Sequence, residues 1–347
     1  MALEPKINSL VNNGPVAAST GSSDSIGLAR KWLENCLSSH SCANSNLDPS
    51  WNPTRLLDIG LGAIPEPRLF LTAKVKEKLS YLALSHCWGV GVLPETLKVG
   101  NMANMRTSIP FSKLTKSVQD AIYVVQQLGY RYLWLDYLCI IQDCPADWKQ
   151  ESAVMNKVYL HSTCTIAATA ATDGNGGLFS QRNPCLVKPK KIRCLIGQEE
   201  FECFAFDHRL LEEEIDSAPL SKRVWAMQET VLSTRIIHFA KDQLFWTCNA
   251  NQSCESFPKR LPWSSDNTPG RYASIAFRVH YMLATQLAFA MAKNNFANSM
   301  IYGDRPYILN LPKDIILDES NEGIDYGSRV SQKAECIAQR RYHNNIY

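Results

Sequence analysis

Residues 81–89 read YLALSHCWG: an apolar run from Tyr81 to Leu84, then Ser85, His86, Cys87 and Trp88, closed by Gly89. A short apolar run of this kind reads as a buried strand. An abrupt switch to four functional side chains is how a strand delivers chemistry to its end. It is equally how a strand meets an ordinary polar loop, and the flanking pattern has to decide.

Downstream, Leu114–Leu128 places Val118, Ala121, Ile122, Val125 and Leu128 on one face of a helix, and Gly129 stops it. Tyr132–Leu135, with Ile140 and Ile141, reads as an apolar strand region interrupted by Asp136. Asp147–Tyr159 is a second helix, lined by Trp148, Ser152, Met155 and Tyr159, and Thr163–Ala168 is another buried strand. Strand and helix in alternation, with strands apolar throughout, predict an α/β fold: a parallel sheet covered on both faces. Ligands bind such sheets beyond the carboxyl ends of the strands. SHCWG and Asp136 both fall at such ends.

Further out, the pattern changes. Ser25–Ser39 is a helix that Asp24 or Ser25 can cap, and RLLDIG at 55–60 is a short strand. Lys191–Phe206 reads as a hairpin turning near Gly197, and Ser221–Leu232 as a helix. Arg235–Phe239 and Gln243–Cys248 form a second hairpin. A helical stretch is expected from Pro262 to Lys293, before a polar tail.

Of 347 residues, 45% are hydrophobic and 20% charged, and the net charge of +3 is too small to argue for nucleic acid. The first twenty residues lack the basic start and apolar core of a secretory signal. Val279–Ala292 is too short and polar to span a bilayer and reads as a buried helix. Twelve cysteines without a signal fit a reducing compartment with free, buried thiols, so a cytoplasmic location is expected.

Together, YLALSHCWG, SVQDAIYVVQQLGYRYLWLDYLCIIQD, the DWKQESAVMNKVY helix with TIAATAATDGNGGLF, and APLSKRVWAMQETVLSTRIIHFAKDQLFWTC resemble the fungal heterokaryon-incompatibility (HET) domain. The upstream WLENCLSSHSC and RLLDIG resemble segments that often precede it. Beyond Cys254 the family's usual continuation is not evident. The resemblance implies a cell-death and self/non-self recognition module whose core is like the flavodoxin-like fold of TIR domains, some of which cleave NAD. Residues 1–24, polar and rich in small residues, are expected to be a flexible N-terminus, followed by a helical extension at 25–80, a HET domain with inserted β-hairpins at 81–258 and a divergent, helical C-terminal segment at 259–347. TIR domains carry a glutamate four residues after a tryptophan at a helix start; Trp225 and Glu229 match that spacing.

On that resemblance Glu229 is the expected catalytic residue, and Ser85, His86, Trp88, Asp136, Arg223 and Trp225 are expected to bind substrate. NAD enters as a substrate, no cofactor is expected, and the expected partners are a second copy or another cell-death signalling protein, with no nucleic acid and no membrane span. Each residue also has a plainer account. Glu229 can pair with Arg223 or Arg235 as an ordinary ion pair. His86 and Trp88 can simply cap the sheet. Adjacent strand residues point to opposite faces, so Ser85 and His86, or His86 and Cys87, do not make a nucleophile–base pair. Asp136, in an apolar setting, must hold a ligand hydroxyl or accept bonds from loop amides. Asp173–Gly177 (DGNGG) is a turn, lacking the lysine of a phosphate loop. Cys36-x3-His40-x-Cys42, with Cys248-x5-Cys254, offers metal-binding residue types, but no standard paired spacing appears and no metal is assigned.

Three functions stay open: a cell-death effector cleaving NAD or a related nucleotide, a non-enzymatic signalling and self-assembly module, and a small-molecule enzyme of a fungal metabolic cluster.

Overall fold

Leu82 and Leu84 face one side of a sheet, Tyr81 and Ala83 the other, and both sides are buried. That is why strand β3 (Tyr81–Ser85) shows no apolar–polar alternation. The computed structural model of the chain describes residues 9–42, 48–62, 65–89, 95–196, 199–207 and 210–262, without the side chains of 194–203, Val224, Trp225 and Met227. The stretches expected to be helical beyond Pro262 lie outside the described residues, as does the turn at Gly197.

The main sheet contains β1 (Arg55–Asp58), β2 (Arg68–Leu71), β3, β4 (Tyr132–Trp134), β5 (Cys164–Ala167), β8 (Arg235–Phe239), β9 (Leu244–Cys248) and β10 (Gln252–Cys254). These eight strands lie in the order β10-β9-β8-β5-β3-β4-β1-β2. The four central strands, β8, β5, β3 and β4, run parallel. Antiparallel hairpins flank them: β1–β2 beside β4, and β8–β9–β10 at the other side. The expected parallel sheet is therefore the centre of a mixed one. The second expected hairpin extends this sheet, whereas β6 (Lys190–Ile196) and β7 (Glu199–Ala205) form a separate two-stranded sheet among the described residues.

Two layers of helix cover the faces. On one side, α1 (Ser23–Ser39) and α2 (Lys116–Gln127) bury Ala29, Leu33, Val118 and Ile122 against Leu82, Leu84, Leu133 and Ile166. On the other, α3 (Pro145–His161) and α4 (Val224–Leu232) bring Val158, Tyr159 and Leu232 onto Tyr81, Ala83 and Trp134. Ser22, slightly earlier than expected, caps α1 by accepting the N–H of Ser25.

The described residues before 81 join the same body. β1 and β2 lengthen the sheet, and α1 is held at its start by Ser25, whose hydroxyl donates to Glu255 at 2.6 Å. Glu255 also pairs with the buried Arg182, whose Nη2 lies 2.8 Å from Oε1. Arg55 at the start of β1 ties to α3, placing one guanidinium nitrogen 2.7 Å from each oxygen of Asp147. Among the described residues, no helix is long and apolar enough to cross a membrane.

Candidate active site

Ser85 ends β3 with the parity of Tyr81 and Ala83, so its hydroxyl faces the α3–α4 layer. His86, Cys87 and Trp88 follow in the connecting segment, and Gly89 turns it with φ of +90°. A Cβ on Gly89 would lie 2.5 Å from the Cβ of Asp173. Glycine lets this segment pass against the DGNGG turn, where Asp173 accepts N–H bonds from Asn175 and Gly176.

The next parallel strand, β4, ends at Trp134, and neither Leu135 nor Ile140 and Ile141, expected as parts of the same strand region, lies in a strand. Asp136 does not interrupt a strand; it opens the helical turn Asp136–Cys139. Its carboxylate accepts the indole N–H of Trp88, 3.0 and 2.9 Å from its two oxygens, and the backbone N–H of Tyr137 at 2.8 Å. Its donors are thus a side chain from the neighbouring strand end and an amide of its own helical turn, in place of the loop amides expected. Tyr137 then packs against His86 and Trp88, at ring separations of 5.5 and 5.7 Å.

Glu229 comes from α4, where Ala226, Glu229 and Leu232 recur on the buried side. It is 5% exposed and sits beside Ser85, Tyr159 and Asp136. It forms no ion pair with Arg223 or Arg235 among the described residues. Arg235 instead donates to Cys36 and to the Thr163 carbonyl. Arg223, at the start of α4, donates to the backbone carbonyl of His86. The backbone of Trp225 lies in the first turn of α4, but its side chain is outside the described residues.

Electrostatics set the protonation states. Burial pushes Glu229 up to about 7, the Asp136 charge adds to the rise, and Ser85, Arg223 and Tyr159 offset part of it. Burial lifts Asp136 to about 6, against the pull of Arg223, the Tyr137 amide and Trp88. His86 falls to about 3, through burial and then the Arg223 charge, and so stays neutral at physiological pH. Burial raises the Cys87 thiol and keeps it from acting as a thiolate nucleophile. Two carboxyl groups that titrate near neutrality can therefore exchange protons here, and the imidazole and thiol cannot.

Among the described residues, the buried polar atoms Ser85 Oγ, His86 Nε2 and Glu229 Oε2 make no hydrogen bond of good geometry, although Ser85 and Tyr159 lie close enough to Glu229 to lower its pKa. Such atoms are rare, because each forgoes its bonds to water. The structure thus gathers Ser85, His86, Trp88, Asp136, Arg223 and Glu229 at the carboxyl ends of β3 and β4 and under α4. Tyr159 and Tyr137 also belong to it. The sequence marks Tyr159 only as an apolar-face position and gives Tyr137 no role, so nothing local singles them out.

A second group lies apart from this one. Cys36, His40, Cys42 and Cys248 bring their ligand atoms within 4.8 Å of one another. Cys254 is not among them; it packs in a separate apolar cluster with Phe245 and Phe257.

This is an α/β domain with one buried and one half-buried carboxyl group, both titrating near neutrality, at the carboxyl ends of its parallel strands. Residues 81–229 match the family model described as heterokaryon incompatibility protein (HET). Over 140 residues the chain is also 31% identical to "Heterokaryon incompatibility protein 6, OR allele" of Neurospora crassa, covering 37% of this chain and 20% of the relative. Residues 81–229 are thus similar to a heterokaryon-incompatibility domain, and the chain spans about a fifth of the length of that relative. No solved structure matches it.

Proposed function

We propose that this protein acts in fungal heterokaryon incompatibility as a cell-death effector, and that it hydrolyses NAD or a related nucleotide through Glu229. The family match and the Neurospora relative support the first part. The second rests on one observation: Glu229 is a buried carboxyl group set beside the Ser85 hydroxyl and Tyr159, and its Oε2 makes no hydrogen bond of good geometry among the described residues. The likeness of Trp225 and Glu229 to the TIR pattern points the same way.

The chemistry is simple. Breaking the nicotinamide–ribose bond leaves positive charge on the ribose carbon, which a nearby carboxylate stabilises. Water adds to that carbon, Glu229 takes the water's proton, and nicotinamide departs with the bonding electrons. A carboxyl group titrating near 7 suits a base working at neutral pH. Arg223 and Asp136 supply a cation and an acceptor for the phosphates and hydroxyls of a nucleotide.

The burial of Glu229 favours a second reading, in which the carboxyl group holds α4 to the sheet and the domain signals by self-association. Expressing wild type and Glu229→Gln in yeast, with growth and cellular NAD followed together, separates the two. Arrest with NAD loss in wild type alone supports the hydrolase. Arrest with NAD intact in both proteins rejects it in favour of assembly. A purified wild-type chain that, concentrated enough to self-associate, releases no nicotinamide from NAD also rejects it.

A further inference from the structure

Cys36 lies in the last turn of α1, and His40, one turn further, caps that helix by donating its backbone N–H to the Cys36 carbonyl at 3.2 Å. Positions i and i+4 share a helix face, so both side chains point the same way. The chain then bends to bring Cys42 back to them. Cys248 arrives from the end of β9, with its sulfur 3.5 Å from His40 Nδ1. Cys36, Cys42 and Cys248 are buried, and His40 is partly exposed.

We propose that Cys36, His40, Cys42 and Cys248 form a structural zinc site that fastens α1 to the sheet. A Cys3His set with every position protein-supplied matches closed zinc sites, which are tetrahedral and leave no place for substrate. Zinc–ligand bonds of about 2.0–2.3 Å put tetrahedral ligand atoms about 3.3–3.8 Å apart, so side-chain adjustment alone closes this group on an ion. Three sulfurs and one imidazole are soft donors that favour zinc over magnesium or calcium.

The surroundings fit. Arg235 is buried and its Nε donates to Cys36 Sγ at 3.2 Å, with no carboxylate partner among the described residues. Three thiolates and a neutral imidazole around a divalent cation leave one net negative charge, which the arginine balances. The backbone N–H groups of Ala250 and Asn251 also reach the Cys248 sulfur. Such outer donors orient metal ligands and tune their basicity. Binding breaks no bond except S–H: each thiol proton leaves to solvent as its sulfur takes the metal, with no redox change.

The site is independent of the proposed catalysis. It joins segments before and after the matched residues 81–229 and lies in the α1–α2 layer, on the opposite sheet face from Glu229.

Zinc in the purified full chain, kept reduced and exchanged into metal-free buffer, tests it by elemental mass spectrometry. About one zinc per chain is expected, retained in the exposed-cysteine variant Cys185→Ser and lost in Cys42→Ser and Cys248→Ser. Arg235→Met is expected to weaken binding about 10–100-fold. Should the ligand variants fail to fold, cobalt decides on wild type alone. Chain produced in cobalt(II) medium is expected to show the intense visible bands of a tetrahedral, thiolate-bound ion. Wild type without zinc, a weak octahedral cobalt spectrum, or a disulfide joining any two of these three cysteines overturns the proposal.

Discussion

The indole of Trp88 reaches from the end of β3 to both carboxylate oxygens of Asp136 at the end of β4, at 3.0 and 2.9 Å. Two adjacent parallel strands are thereby joined at their carboxyl ends by one charge-assisted bond. It holds the loop that carries Ser85 and His86 against the turn that begins at Asp136.

Trp88→Phe keeps a ring against Tyr137 but removes the donor. A stability loss of about 1–3 kcal/mol is expected, because a half-buried carboxylate loses a charge-assisted hydrogen bond. The loss should be greater at pH 8 than at pH 5, since Asp136 titrates at about 6 and needs the donor mainly when ionised. Urea denaturation at the two pH values measures it. An equal loss at both would remove Asp136 from the explanation.

Glu229 makes stability depend on pH in a particular direction. Its folded-state value, about 7, lies above the ordinary glutamate value, so the folded state binds more protons between the two. That contribution is fully present below about pH 4.5 and declines as pH rises through 7. A tenfold difference in proton affinity between the folded and unfolded chain is worth about 1.4 kcal/mol. Glu229→Gln cannot ionise, so denaturation midpoints from pH 4.5 to 8 should fall less steeply than in wild type. A variant with the wild-type slope would show that Glu229 is not held protonated.

Gly89 combines a positive φ with close approach to Asp173. Gly89→Ala should cost about 1–3 kcal/mol for the strained backbone alone, with further loss from the clash. The denaturant midpoint reads this directly. A neutral effect would mean that the segment takes another path.

Arg182 and Glu255 form a buried pair that also holds Ser25 and the N–H of Leu244. Arg182→Met strands the Glu255 charge and should cost about 3–5 kcal/mol. Adding Glu255→Gln should recover part of it. A double-mutant cycle that shows simple additivity would deny the coupling.

The sequence by itself determined the local elements and their order. Apolar runs at 81–84 and 163–168, and the helical spacing of Val118, Ala121, Ile122 and Val125, are properties of short windows, and short windows are what periodicity reports. The positions of Ser85 and Trp88 after a strand also follow from the chain order alone. The opening stretch reads as a site for that reason.

Tertiary structure decided the rest. Asp136 reads as a flaw in a strand because Leu133, Trp134, Leu135, Leu138 and Cys139 around it are apolar; only the chain path shows a strand ending and a helical turn beginning. Glu229 reads as a catalytic carboxylate by resemblance or as an ordinary ion-pair partner by spacing, and packing of α4 onto the sheet turns it inward, where burial raises its pKa. Cys248 joins Cys36, His40 and Cys42 from the far side of the matched domain, a distance no spacing rule spans. Local propensity acts over a few residues. Burial and charge balance depend on which distant segments the packed layers bring together.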